Sequence, residues 1–245
     1  VKLPTDHKVV MPYLTGGAVG DWTEHLRALI DAGADAIEIG LPFSDPTLDG
    51  ATIQEATHAA LSRGATLRGI LTRVSEVAGT VPLVASTYAN LVVRDGAAAF
   101  CATLRDAGFD GLIVPDLPLE ECAEAEQQDI DLVLLASPAT PDERLDEIAR
   151  RSRGFVYAVT VMGTTGERET LAASAADLAR RLTDRCDLPV LLGFGISTPA
   201  QAAQAAQLAD GVVIGAAIMR RVLDGASPAE LGGYLRSIRQ AIDEG

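Results

Sequence analysis

The residues best suited to chemistry are two carboxylates, Glu38 and Asp49, carried by the stretch ADAIEIGLPFSDPTLDGATIQ over residues 34–54. Ala36 to Leu41 alternates with the period of a strand. With Ile37, Ile39 and Leu41 turned toward a covering helix layer, Ala36, Glu38 and Gly40 face the other way, which in a barrel is the interior. A carboxylate in that position is costly unless it is neutralised, paired or used. Asp49 follows in a loop rich in Pro, Asp and Gly, just before a helix opens. One carboxylate on a rigid strand and another on a loop suit acid–base work on a bound substrate. The plain alternative is that Glu38 pairs with a buried Lys or Arg while Asp49 caps a turn, and this stretch alone leaves both readings open.

A second group of residues points to an anion. Gly195-Ile196-Ser197 leads into a helix capped by Ser197 or Thr198, and Gly215-Ala216-Ala217-Ile218 leads into a short helical turn. Glycine lets backbone amides approach phosphate oxygens without a Cβ in the way, and helix N-termini favour negative charge. Gly166 is placed to add a third amide. Turn and helix-packing glycines are the alternative.

The elements that must position these residues repeat as apolar run, turn and amphipathic run. Strands are expected at Lys8 to Thr15, Ala36 to Leu41, Pro82 to Tyr88, Gly111 to Pro115, Leu132 to Ser137, Phe155 to Val161, Pro189 to Gly195 and Gly211 to Ile214. Helices are expected between them, among them one capped by Asp21, one over Leu119 to Gln128 and a last one over Pro228 to Ile242. Eight strand–helix units of similar length predict a single (β/α)8 barrel, a TIM barrel over residues 1–245 with its active site at the C-terminal ends of the strands. A doubly wound sheet has the same rhythm, but no Gly-x-Gly-x-x-Gly follows the first strand. Polar and glycine residues gather at the expected strand ends, as at Tyr13 to Gly17, Tyr88 to Asn90 and Pro115 to Pro118.

Bulk properties narrow the function. A net charge of −14 argues against nucleic acid and against an anionic membrane surface as partners. Cys101, Cys122 and Cys186 are scattered, with no C-x-x-C and no His at metal spacing, so neither a disulfide framework nor a metal site is expected. The chain has no run of apolar residues long enough to span a bilayer and no signal-peptide pattern at its start, which predicts a cytoplasmic protein. His7, His25 and His58 read as bystanders and Trp22 as a packing anchor. Asp45 reads as a turn cap.

At Pro42-Phe43-Ser44-Asp45-Pro46 and Asp49-Gly50, followed by Thr52-Ile53-Gln54, the chain resembles the alpha chain of tryptophan synthase. The resemblance continues at Pro12 to Gly16, Tyr88 to Leu91, Pro115 to Pro118, Tyr157 with Met162 to Gly166, and Gly193 to Ser197. It implies a lyase that cleaves indole-3-glycerol phosphate to indole and glyceraldehyde 3-phosphate by a retro-aldol step. On this resemblance Glu38 is the acid–base group that protonates indole C3 and helps deprotonate the glycerol hydroxyl. Asp49 accepts from the indole N–H and stabilises the indolenine cation. Tyr157 stands beside Glu38, Thr165 contacts Asp49, and Phe194 packs on the indole ring. Tyr13 and Tyr88 help line the pocket, while Gly166, Gly195, Gly215 and Ala216 hold the phosphate. The resemblance also implies a tryptophan synthase beta chain as partner in an alpha2-beta2 heterotetramer, with no cofactor in this chain and pyridoxal phosphate in the partner.

The chain departs from the family at Thr47 and Leu48, usually smaller or different residues, and at Ala51, where a proline is frequent. Ala216 replaces a frequent serine, a loss of one hydroxyl worth about 1 kcal/mol at the phosphate. The extra helix that closes the barrel bottom in many members is expected to be missing or abbreviated, and the resemblance implies a beta-chain contact at Asp45 as the alternative to a turn cap. Three other readings remain at this stage: a stand-alone lyase that releases free indole, a weakly active barrel that activates a beta chain, and a phosphosugar isomerase. The last would need an Asp or Cys in the first strand, where this chain has neither.

Overall fold

Eight short aliphatic runs pair in parallel, each with its sequence neighbours, and the last closes on the first to form a barrel. They are β1 (Val9–Thr15), β2 (Ile37–Gly40), β3 (Leu83–Ser86), β4 (Gly111–Ile113), β5 (Asp131–Ala136), β6 (Val156–Val159), β7 (Val190–Gly193) and β8 (Gly211–Ile214). The covering helices are α1 (Trp22–Asp31), α2 (Ala51–Ser62), α3 (Leu67–Val74), α4 (Ala89–Arg94), α5 (Ala97–Asp106), α6 (Ala123–Glu126), α7 (Asp142–Arg151), α8 (Arg168–Thr183), α9 (Pro199–Ala206), α10 (Ala216–Leu223) and α11 (Pro228–Glu244). The computed structural model describes residues 1–159, 168–193 and 195–245, and in 168–172 the backbone alone.

The period of two along each strand sorts the apolar residues into two cores. Ile37, Ile39, Leu112, Leu132, Val156, Leu192 and Val212 face outward and pack under the helices. Met11, Ala36, Val84, Ile113, Val133, Phe155, Leu191 and Val213 face inward and fill the barrel. Each large aliphatic side chain buried this way contributes about 1.5–3 kcal/mol. Glu38 belongs to the inward set, above Ala36 and below Gly40, as the alternation predicts. It is paired across the sheet with Tyr13 on β1 and Val84 on β3.

Several local expectations are corrected. The segment expected as one helix over Leu119 to Gln128 is a 3-10 turn, Leu119–Glu121, followed by the single turn of α6. Arg151 ties the two pieces together, its guanidinium donating both to the Leu119 carbonyl and to the Glu126 carboxylate. β3 ends at Ser86 rather than Tyr88, and Tyr88 becomes the residue that opens α4. That six-residue helix is too short to nucleate unaided. Its first N–H donates to Asp116, 2.7 Å away at the end of β4. Asp21 occupies the start of α1 without a side-chain cap; its carbonyl instead accepts from the amides of Glu24 and His25. The cap of α9, expected at Ser197 or Thr198, is as expected one of the two, Thr198, in a reciprocal capping box with Gln201. The short turn expected after β8 is a full helix, α10.

Candidate active site

β2 and β6 deliver the two innermost polar groups. Glu38 is 5% exposed, at the floor of a cleft of about 720 Å³ that opens at the C-terminal ends of the strands. A cleft of this size accommodates a small-molecule substrate. Ile113, Leu135 and Val159 form its apolar side, and Tyr157 shares the floor with Glu38. Asp49 enters from the loop between β2 and α2. Hence the site combines an apolar lining with a pair of carboxyl groups.

Burial raises the Glu38 carboxyl from its ordinary 4.5 to about 7, and the nearby Asp49 carboxylate pushes in the same direction. The hydroxyls of Ser86 and Tyr157 act on it as hydrogen-bond donors and pull the other way. Among the described residues no Lys or Arg pairs with Glu38, so these residues do not form the alternative, a buried ion pair. A carboxyl poised near neutrality exchanges a proton with a substrate in either direction. The Asp49 carboxyl is also raised by burial, with the Tyr88 hydroxyl offsetting part of the effect.

Asp49 is held rather than free. The Tyr88 hydroxyl donates to its Oδ2 at 3.0 Å and accepts from the Leu48 N–H at 3.1 Å. Phe43 stacks on the Tyr88 ring at 5.4 Å, and the Gln54 amide donates to the Asp49 carbonyl at 2.8 Å. Burial, then the Asp49 charge, pushes the Tyr88 hydroxyl up to about 12, so it remains a donor throughout the physiological range. Tyr13 and Tyr88 lie beside the main cleft. Both border a narrow cavity of about 20 Å³ that shares Asp49 and Ser86 with it.

Glycines make room for the aromatic hydroxyls. A Cβ on Gly40 would lie 1.9 Å from the Tyr13 hydroxyl, and one on Gly193 would lie 2.4 Å from the Tyr157 ring. Tyr13 thereby lies over Gly40, with its hydroxyl accepting from Thr15 Oγ1 at 3.1 Å. Gly40→Ala is expected to cost about 3 kcal/mol in a urea titration, because the added methyl overlaps the Tyr13 hydroxyl and forces the buried ring out of its packed position. Gly233→Ala in α11, where nothing lies within 4 Å, is the control and is expected to stabilise slightly.

Of the residues expected to hold phosphate, Gly195, Gly215 and Ala216 lie at the ends of the adjacent strands β7 and β8. Gly195 has φ +33°, a conformation that favours glycine. Gly215 opens α10 with no side-chain cap, so the first-turn amides of that helix present donors to the cleft end of the barrel. Thr165, Gly166 and Phe194 lie outside the described residues. Arg220 pairs with Glu55 and Asp224, and Arg221 stacks on Tyr234, so both act on the helix surface. His25 is buried and binds the Ala226 carbonyl at 2.8 Å, a structural tie between α1 and the start of α11. Among the described residues no His, Cys, Asp and Glu side chains group as a metal set, and no helix is long and apolar enough to cross a membrane.

Ser86, with Ser137 and Thr140 farther along the cleft, is a polar group of the site that the motif reading passed over. The signal was present in the alternation of β3, where Val84 and Ser86 share the inward phase; no motif marked it.

A closed parallel barrel with a near-neutral buried carboxyl and a second carboxyl at the C-terminal strand ends defines an acid–base enzyme of the (β/α)8 class. Residues 3–233 match the family described as "Tryptophan synthase alpha chain". The tryptophan synthase alpha chain of Chloroflexus aggregans is 42% identical over 243 residues, covering 95% of this chain and 91% of that protein. That of Picosynechococcus is 42% identical over 246 residues, covering 95% and 93%. Among solved structures, tryptophan synthase from M. tuberculosis superposes with a TM-score of 0.86 at 35% identity, covering 96% of this chain and 92% of that one. A mutant alpha subunit from Pyrococcus furiosus gives 0.85 at 37% identity, covering 96% and 99%. The chain belongs to the tryptophan synthase alpha chain family, carbon–carbon lyases that cleave indole-3-glycerol phosphate to indole and glyceraldehyde 3-phosphate.

Proposed function

We propose that Glu38 and Asp49 carry out this cleavage together, with Glu38 moving the protons and Asp49 holding the transient charge. The indole ring lies against the wall of Ile113, Leu135 and Val159, with its N–H toward Asp49. Protonated Glu38 gives its proton to C3, which leaves a cationic indolenine paired with the Asp49 carboxylate. The Glu38 carboxylate then takes the proton of the glycerol hydroxyl next to the scissile bond. The C–C electron pair returns to the ring as that C–O bond becomes the aldehyde carbonyl. Indole and glyceraldehyde 3-phosphate leave, and Glu38 ends protonated as it began. The proton and electron balance closes on this chain's own residues, so the step calls for no cofactor.

Tyr157 orients Glu38 from across the barrel. The amides at Gly195, Gly215 and Ala216 hold the phosphate, with Thr165, Gly166 and Phe194 completing the pocket from the segments outside the described residues. The observation that carries the reading is the placement of Glu38, a buried carboxyl near 7 at the floor of a cleft whose rim bears Asp49.

The indole is passed to a pyridoxal-phosphate-dependent beta chain in an alpha2-beta2 assembly. Support comes from the surface beside the site. Leu48, 61% exposed, adjoins Asp49, and Val93, 57% exposed, lies on α4, whose first neighbour Tyr88 binds the Leu48 amide. Exposed apolar side chains on adjoining segments suit a protein contact. Indole release from indole-3-glycerol phosphate is the direct test, made with the purified chain alone and with the beta chain of its own organism. Slow release alone and a rise of at least tenfold with the beta chain is expected. Fast release without a partner points to a stand-alone lyase, and no indole in either case overturns the catalytic reading.

A further inference from the structure

The β2–β3 register places an unassigned hydroxyl on the acid–base group. Ser86 pairs directly with Gly40, and Glu38 pairs with Val84 one inward position lower. Gly40 contributes no side chain, and the space above it is taken by the Tyr13 ring. The inward side chain of β2 nearest to Ser86 is therefore Glu38, its diagonal neighbour, at a separation that long side chains bridge. Both residues line the same cleft, and Ser86 also borders the small cavity in front of Tyr13. Tyr157 reaches Glu38 from β6, on the far side of the barrel. Hydroxyls thus approach the carboxyl from two sides of the barrel.

We propose that Ser86 is a positioning residue for the lyase reaction: its hydroxyl donates to the Glu38 carboxylate and holds it in the orientation that returns the glycerol proton. The inference rests on Glu38 being the acid–base group, and it assigns Ser86 a task that Tyr157 cannot take over from its own side. The donor favours the ionised form, which is the form that must accept the hydroxyl proton in the second half of the reaction. The other titratable groups facing Glu38 are Tyr13 on β1, Asp49 on the loop after β2 and Tyr157 on β6, with Tyr88 behind Asp49. Tyr13, Tyr157 and Tyr88 are all held neutral near pH 7 by burial. Asp49 therefore supplies the charge that opposes ionisation, and Ser86 and Tyr157 supply the donors that favour it.

The test is a carbon-13 titration of the Glu38 carboxyl, read in the ligand-free protein and so independent of turnover. In Ser86→Ala the midpoint is expected to rise by about one pH unit, a tenfold gain in proton affinity. Ser86→Thr, which keeps the hydroxyl, is expected to leave it in place. Ser86→Cys, with a weak donor of similar size, is expected to move it part of the way. The pH profile of kcat/KM follows the same midpoints. Equal midpoints in wild type and in the folded Ala or Cys variants overturn the proposal, as does a downward shift in either. Failure of the underlying assignment is separate: it would appear as Glu38→Gln retaining lyase activity, whatever Ser86 does to the titration.

Discussion

Glu38→Gln is expected to lower indole production from indole-3-glycerol phosphate by about a thousandfold while making the folded chain more stable above neutral pH. The activity loss follows because the amide can neither give a proton to C3 nor take one from the hydroxyl. The gain in stability has a definite pH dependence. Burial raises the Glu38 carboxyl from 4.5 to about 7 in the folded chain. Between those values the folded state holds a proton that the unfolded state has lost, so wild-type stability falls as pH rises through this window. At roughly 1.36 kcal/mol per pH unit, the full cost of ionising the buried carboxyl is about 3 kcal/mol, reached above pH 7. Glutamine avoids that cost, and its amide keeps partners in the hydroxyls of Ser86 and Tyr157. Urea titrations of both forms at pH 4.5 and pH 8 check it. The variants should be nearly equal at the lower pH and separate by up to about 3 kcal/mol at the higher. A Glu38→Gln protein less stable than wild type at pH 8 would show that the carboxylate is paired rather than stranded.

Asp49→Asn is expected to lower kcat by about a hundredfold with little change in KM. Asparagine keeps an acceptor for the indole N–H, so binding of the neutral ring survives. The missing negative charge matters only once C3 is protonated and the ring is cationic. An interaction made in the transition state alone appears in kcat and kcat/KM equally, and leaves KM in place. Fold and loop position should hold, since the Tyr88 hydroxyl can still donate to the remaining carbonyl oxygen and still accept from the Leu48 amide. Steady-state kinetics with a saturating beta chain separate the two effects. A rise in KM with kcat unchanged would place Asp49 in ground-state binding and remove it from the charge-stabilising role.

Both predictions lean on contacts whose legibility differed. The inward direction of Glu38 was readable from the alternation of Ala36 to Leu41, because side chains on a strand change face at every residue. The number of strands, the barrel and the Pro-initiated helices α9 and α11 were equally local, each set by hydrophobic period or by a cap within a few residues. The pairing of Asp49 with Tyr88 was not, since 39 positions separate them and neither residue type demands the other. Nor was α4, whose opening depends on Asp116 from the next strand end. Ser86 escaped notice because a serine in a strand carries no motif, and its task arises only when register sets it beside a glycine. Residue types, periods and motif order thus determined by themselves the barrel, the family and the two carboxyls. Only the tertiary structure decided which hydroxyls grip those carboxyls and how far burial shifts them, because desolvation and cross-strand contact are properties of the assembled barrel interior.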